Sequence, residues 1–177
     1  EFDYSLLPEH RAEAQAPEQR ILVDHGDELV DTLLGSESEI HIIADNAGRE
    51  LLADLRLADL ILGARIDVVM HLKPWPMFVS DAVVDDVETT AGALAANGRD
   101  ASARALGRRL TDALSSRHLR LAAHASWGEP RHFNALDPDL AAELAKAALI
   151  VAKGDLNYRR FVEDRAWPID TPLSIAA

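Results

Sequence analysis

The period of the apolar positions changes several times along the chain, and each change marks an element. From about Glu18 to Leu34, the residues Leu22, Leu29, Val30, Leu33 and Leu34 recur at near-helical spacing, and Gly35 suits the position after a helix. Ile40, Ile42 and Ile43 then form a short apolar run that predicts a strand. Ala47 to Leu62 reads as a helix, with Leu51, Leu55, Ala58 and Leu62 on one face and Gly63 as the stop. "RIDVVMHL", residues 65–72, is a second strand, ended by "KPWP", whose prolines cannot continue a ladder. Helical spacing returns through Val83, Val87, Ala91 and Leu94, and again from about Ala101 to Ser115. "HLRLAAHAS", residues 118–126, predicts a third strand. A helix follows from about Pro138 to Ala147, with Asp137 placed to cap it. "ALIVAK", residues 148–153, predicts a fourth strand, running into "GDLNYRRF" as a polar loop.

Strands and helices therefore alternate, and the strands are continuous apolar runs. That pattern predicts an α/β fold whose mostly parallel sheet is covered by helices on both faces. The 177 residues correspond to about one domain, with a helical lead-in over residues 1–35 and an α/β core over 36–177. A hydrophobic content of 48% is enough for a real core. The absence of cysteine excludes disulfides, thiolate metal sites and cysteine nucleophiles, and fits a cytoplasmic location. No apolar run is long enough to span a membrane. With a formal net charge of −12 and scattered Lys and Arg, nucleic acid is not expected as a partner. The sequence carries no signal for an oligomeric state.

In parallel sheets, ligands bind beyond the carboxyl ends of the strands. Three segments rich in chemistry fall there: Asp45–Asn46, the loop that ends at Asp81, and "KGDLNYRR". Taken singly, each has an ordinary reading. Asp45, Asn46 and Asp81 are the residue types that cap helices, and Asp with Asn is common in turns. No Glu or Gln stands three positions after Asp45 or Asn46 to complete a capping box, since Gly48 and Arg49 fill those places and Glu50 comes one step late. Taken together, three oxygen-donor side chains on one sheet edge suit magnesium, manganese or a similar divalent ion. In the third segment, Lys153 or Arg159 suits a phosphate, and Asp155 and Asn157 suit hydroxyls. His71 and His124 lie in or near strands, where a hydrogen-bonded histidine is the commoner role. No P-loop, dinucleotide-binding glycine motif or nucleophile elbow is present.

The segments "DNAGRELLADL", "HLKPWPMFVSDAVVDD" and "KGDLNYRRF", in that order, resemble the signature segments of the damage-control phosphatases. This metal-dependent family is also catalogued as domain of unknown function eighty-nine, and the likeness is to its acidic-residue-methyltransferase-like branch. It covers about residues 38 to 165, and "KGDLNYR" is the most specific of the motifs.

The resemblance implies a three-layer α/β/α sandwich with a metal site at the carboxyl ends of the strands. It implies a phosphatase that hydrolyses small phosphorylated metabolites, such as fructose phosphates, with manganese, cobalt, nickel or magnesium. Asp45, Asn46 and Asp81 would be the metal ligands, with Asp45 and Asn46 at the reacting centre. Asp155, Asn157, Tyr158 and Arg159 would contact substrate, with Lys153 beside them. In a proposed alternative activity, carboxyl methylation by S-adenosylmethionine, Glu50 and Asp81 would line the methyl-donor site. Family members of this branch are about twice as long. A helical region precedes the counterpart of "DYS", and an Arg-Thr-x-Lys motif follows the counterpart of "DTPLSIAA". Because neither is present here, a third expectation is a short, non-catalytic metal-binding form.

Overall fold

The structure, a computed structural model, describes residues 24–35 and 38–172. Helix α1 (Gly26–Leu34) opens this region, so the part of the expected first helix before residue 24 lies outside the described residues. The chain divides into two units, Glu1–Asp31 and Thr32–Ala177, and the second holds the sheet and the helices that cover it.

Four strands build that unit: β1 (Ile40–Ile43), β2 (Val68–His71), β3 (Leu119–Ala122) and β4 (Leu149–Ala152). They form one sheet in the order β3-β2-β1-β4, and every pairing is parallel. The register sets Ile43 beside His71 and Ala152, which aligns the carboxyl ends. Between the strands run α2 (Arg49–Gly63), α3 (Val84–Ala95), α4 (Ala101–Ser116) and α5 (Pro138–Leu144), and α6 (Gly154–Phe161) follows β4.

Strand side chains alternate between two faces, and each face has its own core. On one, Ile40, Ile42, Val68 and Met70 pack with Leu51, Leu55 and Ala58 of α2, Val87 and Ala91 of α3, and Leu110 of α4. Each large aliphatic buried this way contributes roughly 1.5–3 kcal/mol. On the other face, Ile43 packs with Trp127 and with Leu140 and Leu144 of α5. Helices on both faces make the α/β sandwich that the alternating pattern predicts. Helices α3 and α4 approach to backbone contact at Gly107, where a Cβ would lie 2.1 Å from the Ala95 nitrogen. Among the described residues, no helix is long and apolar enough to cross a membrane.

The structure differs from the sequence-based expectation in four places. The third strand stops at Ala122, and residues 125–128 form a 3₁₀ turn. Helix α5 ends at Leu144, and Asp137 does not cap it through its side chain. Its carboxylate instead accepts from Ser126 Oγ and Arg131 Nη1, both at 2.8 Å. Gly48, with φ +73°, precedes α2, so neither Asp45 nor Asn46 caps that helix. Finally, "GDLNYRRF" is helix α6 rather than a loop, because Gly154 at φ +80° completes the turn in one residue.

Candidate active site

All strands being parallel, the segments after β1, β2 and β4 open at one edge of the sheet. The chain leaves β1 toward β2 on one side, while β4 pairs on the other, which puts the topological switch point of the sheet at the carboxyl end of β1. Asp45 stands there, two residues past β1 and 5% exposed. Its backbone carbonyl accepts from the Ala82 nitrogen at 2.9 Å, and Asn46 forms an isolated antiparallel bridge with Asp81. These backbone links pin the loop after β2 against the end of β1, although Asp45 and Asp81 are far apart in sequence.

The side-chain oxygens divide their work. Asp81 Oδ2 accepts from the backbone nitrogens of Met77 and Phe78 at 2.9 and 2.8 Å, so this carboxylate shapes its own loop rather than capping α3. The start of α3 is served by Asp86, which accepts from the Val83 nitrogen. Asp45 Oδ2 accepts from Asn46 Nδ2 at 3.3 Å and lies against Gly154, where a Cβ would fall 2.0 Å away. The remaining oxygens, Asp45 Oδ1 and Asp81 Oδ1, both face Lys73 Nζ, at 3.2 and 3.9 Å. Asn46 donates to Glu50 Oε2 at 3.1 Å and accepts from Ser80 Oγ at 2.7 Å. Glu50 Oε1 is buried and has no hydrogen-bond partner among the described residues. The carboxylates of Asp45 and Asp81, with the amide oxygen of Asn46 beside them, are the hard oxygen donors that suit a divalent cation.

The third segment is arranged differently from the expected clamp. Lys153 Nζ donates to Asp54 Oδ1 at 2.7 Å, beneath α2, and burial holds the Asp54 carboxyl above its ordinary range despite that bond. Asn157 is fully buried; its Nδ2 donates to the Lys153 carbonyl at 2.7 Å and reaches the carbonyls of Ile43 and Ala44 at 3.4 Å. It ties the ends of β1 and β4 together. Asp155, Tyr158 and Arg159 are exposed, and Arg159 pairs in two-point fashion with Asp164.

Two cations at this edge escaped the sequence reading. Lys73 is 2% exposed. The signal for it was a lysine directly continuing the buried run "VVMHL", where an ammonium survives only against an anion. Arg160 lies on the buried face of α6, donating through Nη2 to the carbonyls of Trp127 and Glu129 at 3.0 and 2.9 Å. Its guanidinium stacks 5.3 Å from the Trp127 ring centroid, and its Nε and Nη1 are buried without hydrogen-bond partners among the described residues. Burial lowers its pKa, while the charges of Asp45 and Asp81 pull the other way.

Trp127 is fixed in turn by a buried line of hydrogen bonds. Its Nε1 donates to His71 Nδ1 at 3.3 Å, His71 Nε2 meets His41 Nδ1 at 3.0 Å, and His41 Nε2 meets Glu39 at 3.0 Å. One proton on the Nε2 of each histidine satisfies every link. Burial, with His41 alongside, lowers the His71 pKa to about 4. His124 accepts from the Ser126 nitrogen and meets Asp139 at 3.0 Å. Two other groups have metal-like composition, Glu39–His41–Glu143 and His124–Asp137–Asp139. Both already hold an arginine: Arg120 bridges Glu39 and Glu143, and Arg131 binds Asp137.

Parallel α/β sheets bind their ligands beyond the carboxyl ends of the strands, and here acidic and amide oxygens gather at that edge. The model of the damage-control phosphatase ARMT1-like domain matches residues 2–177, and the chain belongs to that family. Among curated proteins it is similar to damage-control phosphatase ARMT1 of Xenopus laevis, with 34% identity over 170 residues, 88% of this chain and 38% of that protein. The Rattus norvegicus protein of the same name is 36% identical over 139 residues, 76% of this chain and 31% of its own. The Homo sapiens protein is 33% identical over 143 residues, 78% of this chain and 32% of its own. The chain thus spans about a third of the length of these relatives.

Proposed function

We propose that this chain carries the metal-binding part of a phosphomonoester hydrolase acting on small phosphorylated metabolites, fructose phosphates among them. The observation that supports this reading best is the convergence of Asp45, Asn46 and Asp81 at the sheet's switch point, with two carboxylate oxygens turned to one cation position. In this reading those three residues hold manganese, cobalt, nickel or magnesium. The bound ion supplies Lewis-acid neutralisation of phosphate charge and a more acidic water. Asp45 orients the attacking water. Arg160, locked by two carbonyls, adds fixed positive charge beside the carboxylates, which an acidic protein needs in order to receive a phosphate. Asp155, Tyr158 and Arg159, exposed on α6, contact the substrate, and so does Glu50, which accepts from Asn46. Lys153 and Asn157 act from below, by holding α2 and the strand ends in register.

The test is phosphate release from a panel of sugar phosphates and an aryl phosphate, with each metal or with chelator, by wild type and Asp45→Ala. Release that requires metal and vanishes in the variant is expected. Equal release by Asp45→Ala would refute the site. A folded wild type that binds metal but releases nothing would assign the non-catalytic form, and methyl transfer from S-adenosylmethionine without phosphate release would assign the methyltransferase.

A further inference from the structure

Of the four carboxylate oxygens on Asp45 and Asp81, two are committed to the fold. Asp81 Oδ2 is held by two backbone N–H groups, and Asp45 Oδ2 by Asn46 and the close approach of Gly154. The two uncommitted oxygens are the ones that face Lys73 Nζ, at 3.2 and 3.9 Å. The ammonium is almost completely enclosed, and its backbone is fixed by a bond from its nitrogen to the Ala82 carbonyl and by a bridge to Val83. A buried ammonium between two buried carboxylates offsets the cost of burying them side by side and holds the loop closed.

We infer that Lys73 is a tethered stand-in for the metal, occupying the cation position between Asp45 and Asp81 and giving it up when a divalent ion binds. This rests on the reading of those carboxylates as metal ligands. A short tether leaves the displaced ammonium within a side chain's reach of the same site. There it meets the one anion that accompanies the metal, the phosphoryl group of the substrate. Lys73 thereby does three things. It balances charge in the metal-free protein, it weakens metal binding on its own, and it couples metal binding to phosphate binding. Arg160, whose charge is felt by Asp45 and Asp81 and whose Nε and Nη1 have no partner among the described residues, makes the same neighbourhood favourable to an anion.

Calorimetric titration with manganese chloride, in the presence and absence of sulfate as a soluble tetrahedral dianion, tests this on wild type, Lys73→Met and Lys73→Gln. Both variants are expected to bind manganese at least about tenfold more tightly, because a positive charge within about 4 Å of both carboxylates has been removed. Sulfate should tighten manganese binding in wild type and do so distinctly less in Lys73→Met, where only Arg160 remains to favour the anion. Folded variants that bind manganese with unchanged or weaker affinity would overturn the inference. Circular dichroism covers the case in which the variants do not fold without metal. Folding restored by manganese supports replacement of one cation by the other, and failure to fold even with manganese overturns it. Asp45→Ala is the control: if it binds manganese as wild type does, the metal-ligand reading falls, and this inference with it.

Discussion

Replacing Gly154 with alanine perturbs the site at its tightest point. The new Cβ would lie 2.0 Å from Asp45 Oδ2 and 2.5 Å from its Cβ and Cγ, far inside the 3.4–4 Å of ordinary contact. The φ of +80° adds a left-handed penalty of about 1–2 kcal/mol for a residue with a Cβ. Asp45 cannot move aside freely, since its Oδ1 is paired with Lys73 and its carbonyl with Ala82. Giving up a buried ion pair costs about 3–5 kcal/mol, so α6 retreats in part and the loss is shared. A net destabilisation of about 2–5 kcal/mol follows, which lowers Tm by roughly 5–15 °C for a unit of this size. The assay is thermal unfolding by circular dichroism, paired with manganese calorimetry. Gly63→Ala is the control, because that glycine ends α2 with nothing within 4 Å of its Cβ position. Gly154→Ala melting within a degree or two of Gly63→Ala, with manganese binding intact, would refute the steric reasoning.

Three further outcomes follow from the same geometry. The pKa of His71 is about 4 when folded and 6.5 when unfolded, so the unfolded chain binds the extra proton between those values and stability falls as pH drops from 6.5 toward 4. The loss approaches roughly 3 kcal/mol, and urea unfolding across this range should show a shallower pH slope in His71→Gln than in wild type; equal slopes would refute the assignment. Gly107→Ala should destabilise by about 1–3 kcal/mol despite its better helix propensity, because its Cβ would press on the Ala95 and Leu94 backbone. Gly92→Ala in α3, with open space around it, should be neutral or stabilising, and equal urea midpoints for the two would remove the close helix approach. Asp45→Ala should abolish metal-dependent phosphate release, read by the assay proposed above.

The helices were legible because their apolar faces decide their packing. Leu51, Leu55 and Ala58, grouped from spacing alone, are buried against the sheet. The strands were legible as runs but not in length, since "HLRLAAHAS" continues apolar past the last ladder bond and only Ala122 ends the pairing. The gathering of Asp45, Asn46 and Asp81 at one edge followed from the parallel order. Their partners did not, because a search among sequence neighbours cannot see Lys73 placed between Asp45 and Asp81 by a strand crossover. The helical state of residues 154–161 was hidden for a local reason: Asp155 and Asn157 are turn formers by type, and one glycine in the left-handed region absorbs the turn they would have made. His41 and His71 stand on adjacent strands and satisfy each other, a pairing that depends on register and on nothing either segment reveals alone.

Asn157 binds carbonyls 114 and 113 positions earlier in the chain, and Lys153 binds a carboxylate 99 positions earlier. No local stretch of this protein is therefore a site. A peptide spanning Asp45 to Asp81 has the oxygens but lacks the floor that aims one of them, and that floor is supplied only when β4 and α6 dock. Closing loops over such separations costs conformational entropy, which the pairing of β1 with β4 has already met when the site is complete. Occupancy of that site is thus a report on topology: a ligand that binds there reads out, in one event, whether β1, β2 and β4 have found their places.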